Sequence, residues 1–282
     1  MSTDGATGVE RRSRWRRAMT AAGGALRRLG SKWKAFVFLA LLILAWEGYT
    51  EWGHTQRFVL PPPTSVWSYL IHNPGLFWHH SLITLREVLT AFVISVSLGV
   101  VLAGLIERFK VVEETLLPLL VVTQVVPTIA IAPLLVLLLG FGSAPKIAVA
   151  VLISFFPIVI NTFTGLRSVD EDLVLLSKGL GAGRLQYLWK IALPTALPYI
   201  LAGARLAITL SIIGAVIGEF VVSNAGLGFL ILQGSAQLTP EQMVAALVVL
   251  AIIGILLFNA VRLIEYFATP WAFDRQGRPR YE

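Results

Sequence analysis

The sequence predicts an all-α membrane protein: six transmembrane helices, with a helical loop projecting into the cytoplasm between the fourth and fifth. Three observations predict this. Hydrophobic residues make up 56% of the 282 positions and charged residues only 14%, where soluble domains average roughly 25% charged; mean hydropathy is +0.76. Six apolar runs approach the ~20 residues that a helix needs to cross hydrocarbon. Of the 23 Lys and Arg residues, 19 fall in the segments that alternate onto one side of those runs, the bias that orients membrane helices.

The first run, Ala35–Tyr49, is short and bordered by Glu47; the span it belongs to is assigned to residues 35–52. Before it lies a basic arm, residues 1–34, holding nine of the 23 Lys and Arg. Such a cluster beside an apolar run sets topology and touches anionic lipid, so the net charge of +7 is not read as a nucleic-acid signal. The arm and "AFVFLALLILAW" superficially resemble a secretion signal. "EGYTEWGHTQR" follows instead of a small-residue cleavage site, so the span is expected to stay uncleaved.

Residues 53–82 are expected outside. Their prolines start a short helix, and "SVWSYLI" carries aromatics suited to the interface. His54, His72, His79 and His80 all lie here. Adjacent His79 and His80 invite a metal reading, but no Asp, Glu or Cys stands at ligand spacing, and the expectation is a polar interfacial surface with no metal.

The second span is read at Val88–Ile106. The third runs over Leu116–Phe141 with Pro118, Pro127 and Pro133 inside it, either as one helix whose freed carbonyls are met by neighbours or as a broken helix. The fourth is Ile147–Leu166, containing Pro157 and Asn161; the fifth is Tyr199–Val222 and the sixth Val244–Ile264. Together they make a core of residues 83–266, followed by a tail, 267–282. The inner segments are then 1–34, 107–115, 167–194 and 262–282, with both termini cytoplasmic. Arg57 and Lys146 fall outside, and Arg86 lies near the second span.

Cysteine is absent, which excludes disulfides, thiolate metal sites and cysteine nucleophiles. A phosphate loop is not expected either: the nearest string, "GALRRLGSK" at Gly24–Lys32, has the wrong spacing and order. No Ser–His–Asp set or catalytic carboxylate pair stands out. The chain is therefore read as non-catalytic.

The inner stretch "RSVDEDLVLLSKGLGAGRLQYLWKIALP" is long for a connector, since helix–helix connections run about 2–8 residues. Ser168 and Glu171 have capping-box spacing, and Leu173, Leu176 and Leu180 share a helical face. Gly179, Gly181 and Gly183 permit a sharp reversal. A second short helix follows, with Leu185, Leu188 and Trp189 on one side, and Pro194 and Pro198 launch the fifth span. The pattern suits either a lipid-surface loop or a docking element for a cytoplasmic partner.

This stretch resembles the coupling motif of ABC importer permeases of the type I fold. That motif has an acidic-Ala-Ala triplet, a glycine four residues after its last member, nine further residues, then Ile-x-Leu-Pro. Gly181 is followed by nine residues and "IALP", Ile191–Pro194. The triplet departs: its positions hold Leu175, Leu176 and Ser177. "LPPPTSVWSYL", "TQVVPTIAIAPLLVLLLGFGSAPK", "LPTALPYILAGARLAI" and "IGAVIGEFVVSNAGLGFLI" extend the resemblance over roughly residues 58–272, to the branch importing nitrate, sulfonates, taurine, bicarbonate and thiamine-precursor pyrimidines.

The resemblance implies a homodimeric pore in the bacterial inner membrane and two cytoplasmic ATPases that carry ATP and Mg, with no cofactor on this chain. It also implies an external binding protein, periplasmic or lipid-anchored, that delivers solute. Leu173, Ser177, Gly181, Ala182 and Arg184 would face the ATPase, with Ile191, Leu193 and Pro194 completing the motif and Pro194 fixing how motion enters the fifth span.

Arg205 and Glu219 need an account of their own, because a charge at the bilayer centre costs about 2.5–3.5 kcal/mol or more. They lie ~21 Å apart on one face of the fifth span. Either Arg205 borders an anionic substrate's path and Glu219 an outer gate, or each pairs with another span. Gln124, Thr128, Asn161 and Thr162 either line the pore or bond between helices. Gly226 and Gly228 permit the turn of an outer re-entrant or gate segment, Asn224–Ile231. The alternative to an importer subunit is a self-sufficient secondary transporter for a small anion, which predicts inverted repeats and a midplane ion site; neither is visible in the sequence.

Overall fold

A computed structural model describes residues 33–34, 37–51 and 60–272, in two units, residues 1–67 and 68–282. Nearly all of the basic arm, most of the tail, His54 and Arg57 lie outside the described residues.

In the first unit, helix α1 covers 37–51. Its Glu47 carboxylate accepts the backbone N–H of Thr64 at 3.1 Å and its hydroxyl at 2.6 Å. Thr64 belongs to the first turn of α2, Pro63–His72, where backbone N–H groups lack helical acceptors and favour a carboxylate. The Glu that borders the first apolar run is thus an anchor for the short helix that the prolines start.

The second unit is built on three long helices, α3 (Pro74–Arg108), α6 (Ser143–Arg167) and α9 (Leu193–Val222). Their inner faces are lined with small residues. A Cβ on Gly214 would stand 2.5 Å from Ala150 Cα, and one on Gly218 would stand 2.8 Å from Lys146 Cα. Lacking a hydrophobic force between helices in lipid, close backbone approach of this kind holds membrane helices together through dispersion. A Ser95–Ser154 hydroxyl bond, 2.7 Å, adds a polar tie between α3 and α6. The outward faces carry exposed Leu, Ile, Val and Phe, as on α11 (Pro240–Ala268) at Ile252, Ile255, Leu256 and Phe267.

Between α3 and α6 the third apolar run is broken. α4 (Lys110–Val125) and α5 (Thr128–Leu139) meet at 101°. Of the three prolines Pro127 makes the break, because it forces Val126 out of helical geometry, to ψ 122; Pro118 and Pro133 stay inside helices. Four described helices are long and apolar enough to cross a bilayer, or five if the bent pair counts as one span.

Two boundaries differ from the sequence reading. α3 begins at Pro74 and has 35 residues, ~52 Å of helix, so "PGLFWHHSLITLRE", read as lying ahead of the second span at Val88, is part of the same helix. α6 begins at Ser143, which brings Lys146 inside the helix bundle.

Candidate functional site

Two regions at opposite ends of α9 carry the polar chemistry. At its N-terminal end, α7 (Glu171–Gly179) is capped by Asp170, whose carboxylate accepts Asp172 N–H at 2.8 Å. The capping-box reading of Ser168 is therefore corrected. Its hydroxyl donates back to Gly165 O at 2.9 Å and closes α6, leaving the stronger carboxylate cap to start α7. α7 ends in a reversal closed by two crossed bonds, Gly181 N–H to Lys178 O and Ala182 N–H to Ser177 O, both 3.0 Å. That pairing needs a left-handed residue. Gly181, at φ +74, supplies it; Gly179 and Gly183 keep negative φ.

The second short helix, α8 (Arg184–Tyr187), is not separate from the fifth span. It runs through one wide π-type turn, Leu188–Ala192, into α9, making a single helical stretch over Arg184–Val222. Leu193 N–H reaches back to Leu188 O. Pro194 lacks the N–H that a regular helix would donate to Lys190 O, and the wide turn absorbs that mismatch, while Pro198 stays inside α9. Leu188 and Ile191 pack on Leu166, Ala192, Ala196 and Ile200. Leu173, Leu175, Leu176, Leu180, Leu185 and Trp189 are left exposed. Gly181 and Arg184 are exposed and Ala182 half-buried, whereas Ser177 is buried, its hydroxyl donating to Val174 O at 2.8 Å.

At the other end of α9 lies α10 (Leu227–Ala236), a 10-residue helix, ~15 Å long and too short to span. Its first N–H groups are received by side chains of other helices. Gly226 N–H donates to His80 Nδ1 at 2.9 Å, Leu227 N–H to Thr84 Oγ1 at 2.8 Å, and Gly228 N–H to Glu219 Oε2. Thr84 in turn donates to Glu219 Oε1 at 2.6 Å. Beside them Lys146 of α6 pairs with Glu87 of α3 and donates to Ser223 Oγ at 3.1 Å. Glu219 is 1%, Glu87 2% and Lys146 6% exposed. His80 is accordingly buried and bonded to backbone, in place of the polar interfacial surface expected of it; His79 is exposed. Gln242 of α11 holds α10 from its far side, donating to Leu230 O at 3.2 Å and accepting Tyr69 OH at 3.0 Å.

Arg205 pairs with Glu265 of α11 across 2.9 Å, and Glu265 is 1% exposed. Each intramembrane charge of the fifth span therefore meets groups from other helices. Asn161 donates to Pro157 O at 2.8 Å on its own helix. Thr162 is buried, Thr128 half-buried beside the α4–α5 break, and Gln124 exposed on α4. Among the described residues no group of three or more His, Cys, Asp or Glu is placed to hold a metal.

Sequence reasoning missed Thr84, Glu87, Lys146 and Gln242 as partners in these networks. For the first two a signal was present: His80, Thr84, Glu87, Ala91 and Ser95 recur at helical spacing along one buried face of α3.

The architecture is thus a bundle of close-packed small-residue helices with one broken span and a tight helical reversal leading into α9. The chain belongs to the family of binding-protein-dependent transport system inner membrane components, whose model matches residues 95–268. It is 34% identical to a probable ABC transporter permease protein of Haemophilus influenzae, over 86% of this chain and 96% of that protein. It is also 34% identical to the formylaminopyrimidine transport permease ThiX of Halalkalibacterium halodurans, over 83% and 94%. Identity to the taurine transport permease TauC of Escherichia coli is 29%, over 83% and 87%. Among solved structures, a chain of the inward-facing MetNI methionine ABC transporter superposes with a TM-score of 0.56 at 21% identity, over 69% of this chain and 95% of that one; at that identity the likeness is one of fold.

Proposed function

We propose that this chain is the pore-forming subunit of an ATP-driven importer for a small solute of the nitrate, sulfonate or taurine, bicarbonate or pyrimidine-precursor class. Solute arrives from an external binding protein, two copies of the chain enclose the path, and two ATPase subunits, which hold ATP and Mg, dock on the cytoplasmic turn. Both termini are cytoplasmic in this arrangement, and no catalysis falls to this chain.

The observation that carries the reading is the turn itself. Leu173, Leu180, Leu185 and Trp189 form an exposed apolar face flanked by Arg184 and Lys190, and a single wide turn connects that face to α9. An ATPase closing on it would move α9 directly. Arg205, Gln124, Thr128 and Asn161 are the polar groups nearest a path along the span, and Gly226, Gly228 and Glu219 form the outer closure.

The test is gentle detergent extraction of the tagged chain, then reconstitution into vesicles with whatever co-purifies. A second copy, an ATPase carrying a phosphate loop, and uptake that needs ATP and the binding protein are expected. Uptake by the chain alone, without ATP, would replace this reading with that of a secondary transporter.

A further inference from the structure

We propose that Glu87 and Glu219 hold one proton between them, in a carboxyl–carboxylate hydrogen bond that ties α3 to α9 beneath the α10 N-terminus. The inference goes beyond the transport reading and stands on the local geometry alone.

Both carboxyl groups are buried, and their acceptor capacity is unevenly met. Glu87 Oε1 pairs with Lys146, while Glu87 Oε2 has no donor among the described residues. Glu219 accepts Thr84 and Gly228. Thr84, one turn before Glu87 on α3, donates to Glu219, and Lys146 pairs with Glu87 while donating to Ser223, one turn beyond Glu219, so the two carboxyl groups share one buried site. As two carboxylates they would place like charges side by side in a site without bulk water, an arrangement that two acids resolve by sharing a proton.

The charge count points the same way. Lys146 is the cation at this site, paired with Glu87 and bonded to Ser223, one turn beyond Glu219. His80 Nδ1 accepts the Gly226 N–H, so that nitrogen carries no proton and the ring is not an imidazolium. α10 has no ionisable side chain. The first turn of α11 brings Glu241, a further acid, while the arginine of that helix, Arg262, lies about six turns away at its other end, and Arg86 of α3 is exposed. One lysine thus faces two acids. A single shared proton leaves one carboxylate opposite one ammonium and gives Glu87 Oε2 its missing partner. It also makes the closure a latch: α3 and α9 cannot part at this end without breaking that bond and leaving a buried charge unmatched.

Infrared spectroscopy of the full chain, purified with its co-purifying subunits, reads the proton directly through the carbonyl stretch of a protonated carboxylic acid. The wild type is expected to show such a band, shifted in D2O. It should be lost in Glu87→Gln and equally in Glu219→Gln, and kept in Glu241→Gln. Glu87→Gln keeps an oxygen for Lys146 and gains a donor, so it is expected to melt close to wild type; Glu219→Gln has one oxygen for two donors, Thr84 and Gly228, and is expected to melt lower, so its band is read well below its Tm. Absence of the band in the wild type overturns the proposal, which needs no variant to fold. A band that survives both substitutions, or is lost in only one, overturns the sharing.

Discussion

Gly226→Ala is the sharpest test of the α10 closure. Gly226 sits at φ 122, ψ 167, a region that essentially only glycine occupies and that costs other residues about 1–3 kcal/mol. The added methyl would also stand 2.2 Å from both Cδ and Oε1 of Glu219. Neither can yield at little cost, since the carboxyl group is held by Thr84 and Gly228. Losing one bond to a charged group costs about 1.5–3 kcal/mol. The sum is about 2.5–6 kcal/mol, which corresponds to a fall in Tm on the order of 10 °C. Thermal unfolding of the purified chain in detergent measures it. Gly104→Ala in α3 is the control: its Cβ meets nothing within 4 Å, and helix propensity gives it up to about 1 kcal/mol of stability. If Gly226→Ala melts with the wild type, the carboxylate is not where the α10 cap requires it, and the closure described here is wrong.

Three further substitutions separate the remaining roles. Gly218→Val drives a side chain into the Lys146 backbone, 2.8 Å from its Cα, and should cost about 1–3 kcal/mol by overpacking; an unchanged melting curve would mean that α6 and α9 are not in contact there. Gly181→Ala, at φ +74 with open space around it, should strain the reversal by about 1–2 kcal/mol without lowering the Tm of the bundle. Its readout is the yield of co-purifying ATPase, and full retention would remove the turn from the coupling contact. Arg205→Gln leaves the buried Glu265 without its guanidinium, a loss of about 3–5 kcal/mol, which a paired Arg205→Met, Glu265→Met exchange should largely restore. Transport by the paired variant at the wild-type rate assigns Arg205 to packing, whereas a stable but inactive one assigns it to the solute path.

How far the sequence disclosed this molecule depends on whether a feature's cause is local. The reversal at Gly181 was legible because its requirement, a left-handed residue after a short helix, is met within six residues. The break at Pro127 was legible as an alternative, and only packing chose it over Pro118 and Pro133. The start of α3 was not. Hydropathy counts His80, Thr84 and Glu87 as polar and starts the span after them, yet each is satisfied by a partner more than 50 residues away in sequence: Gly226, Leu227 and Lys146. The same accounting put Lys146 outside. A buried polar residue with a distant partner is indistinguishable by hydropathy from an exposed one; only its place in the 3.6-residue period betrays it. Arg205 and Glu219 were recognised as charges needing partners, while Glu265 and Thr84 were beyond reach for the same reason.

These features bear on one another through α9. Close-packed helices transmit strain because their interiors have little free volume to absorb it. On α9 the small residues that let α6 approach run from Gly203 to Gly218, along the length between the wide turn and Glu219. The helix can yield at Leu188–Ala192, where Pro194 removes the N–H that the Lys190 carbonyl would accept in a regular helix, and it is fixed at its far end by Glu219 and the α10 cap. A displacement of the α7–α8 turn therefore has two outlets: flexure at the wide turn, or movement of α9 against α6 that loads the Glu87–Glu219 contact. The depth of packing favours the second, because separating Gly214 from Ala150 exposes backbone along the whole interface, whereas the contact at the far end is a few hydrogen bonds. In the importer reading proposed above, the contact placed where the packed stripe ends is the one that a push at the α7–α8 turn would make or break.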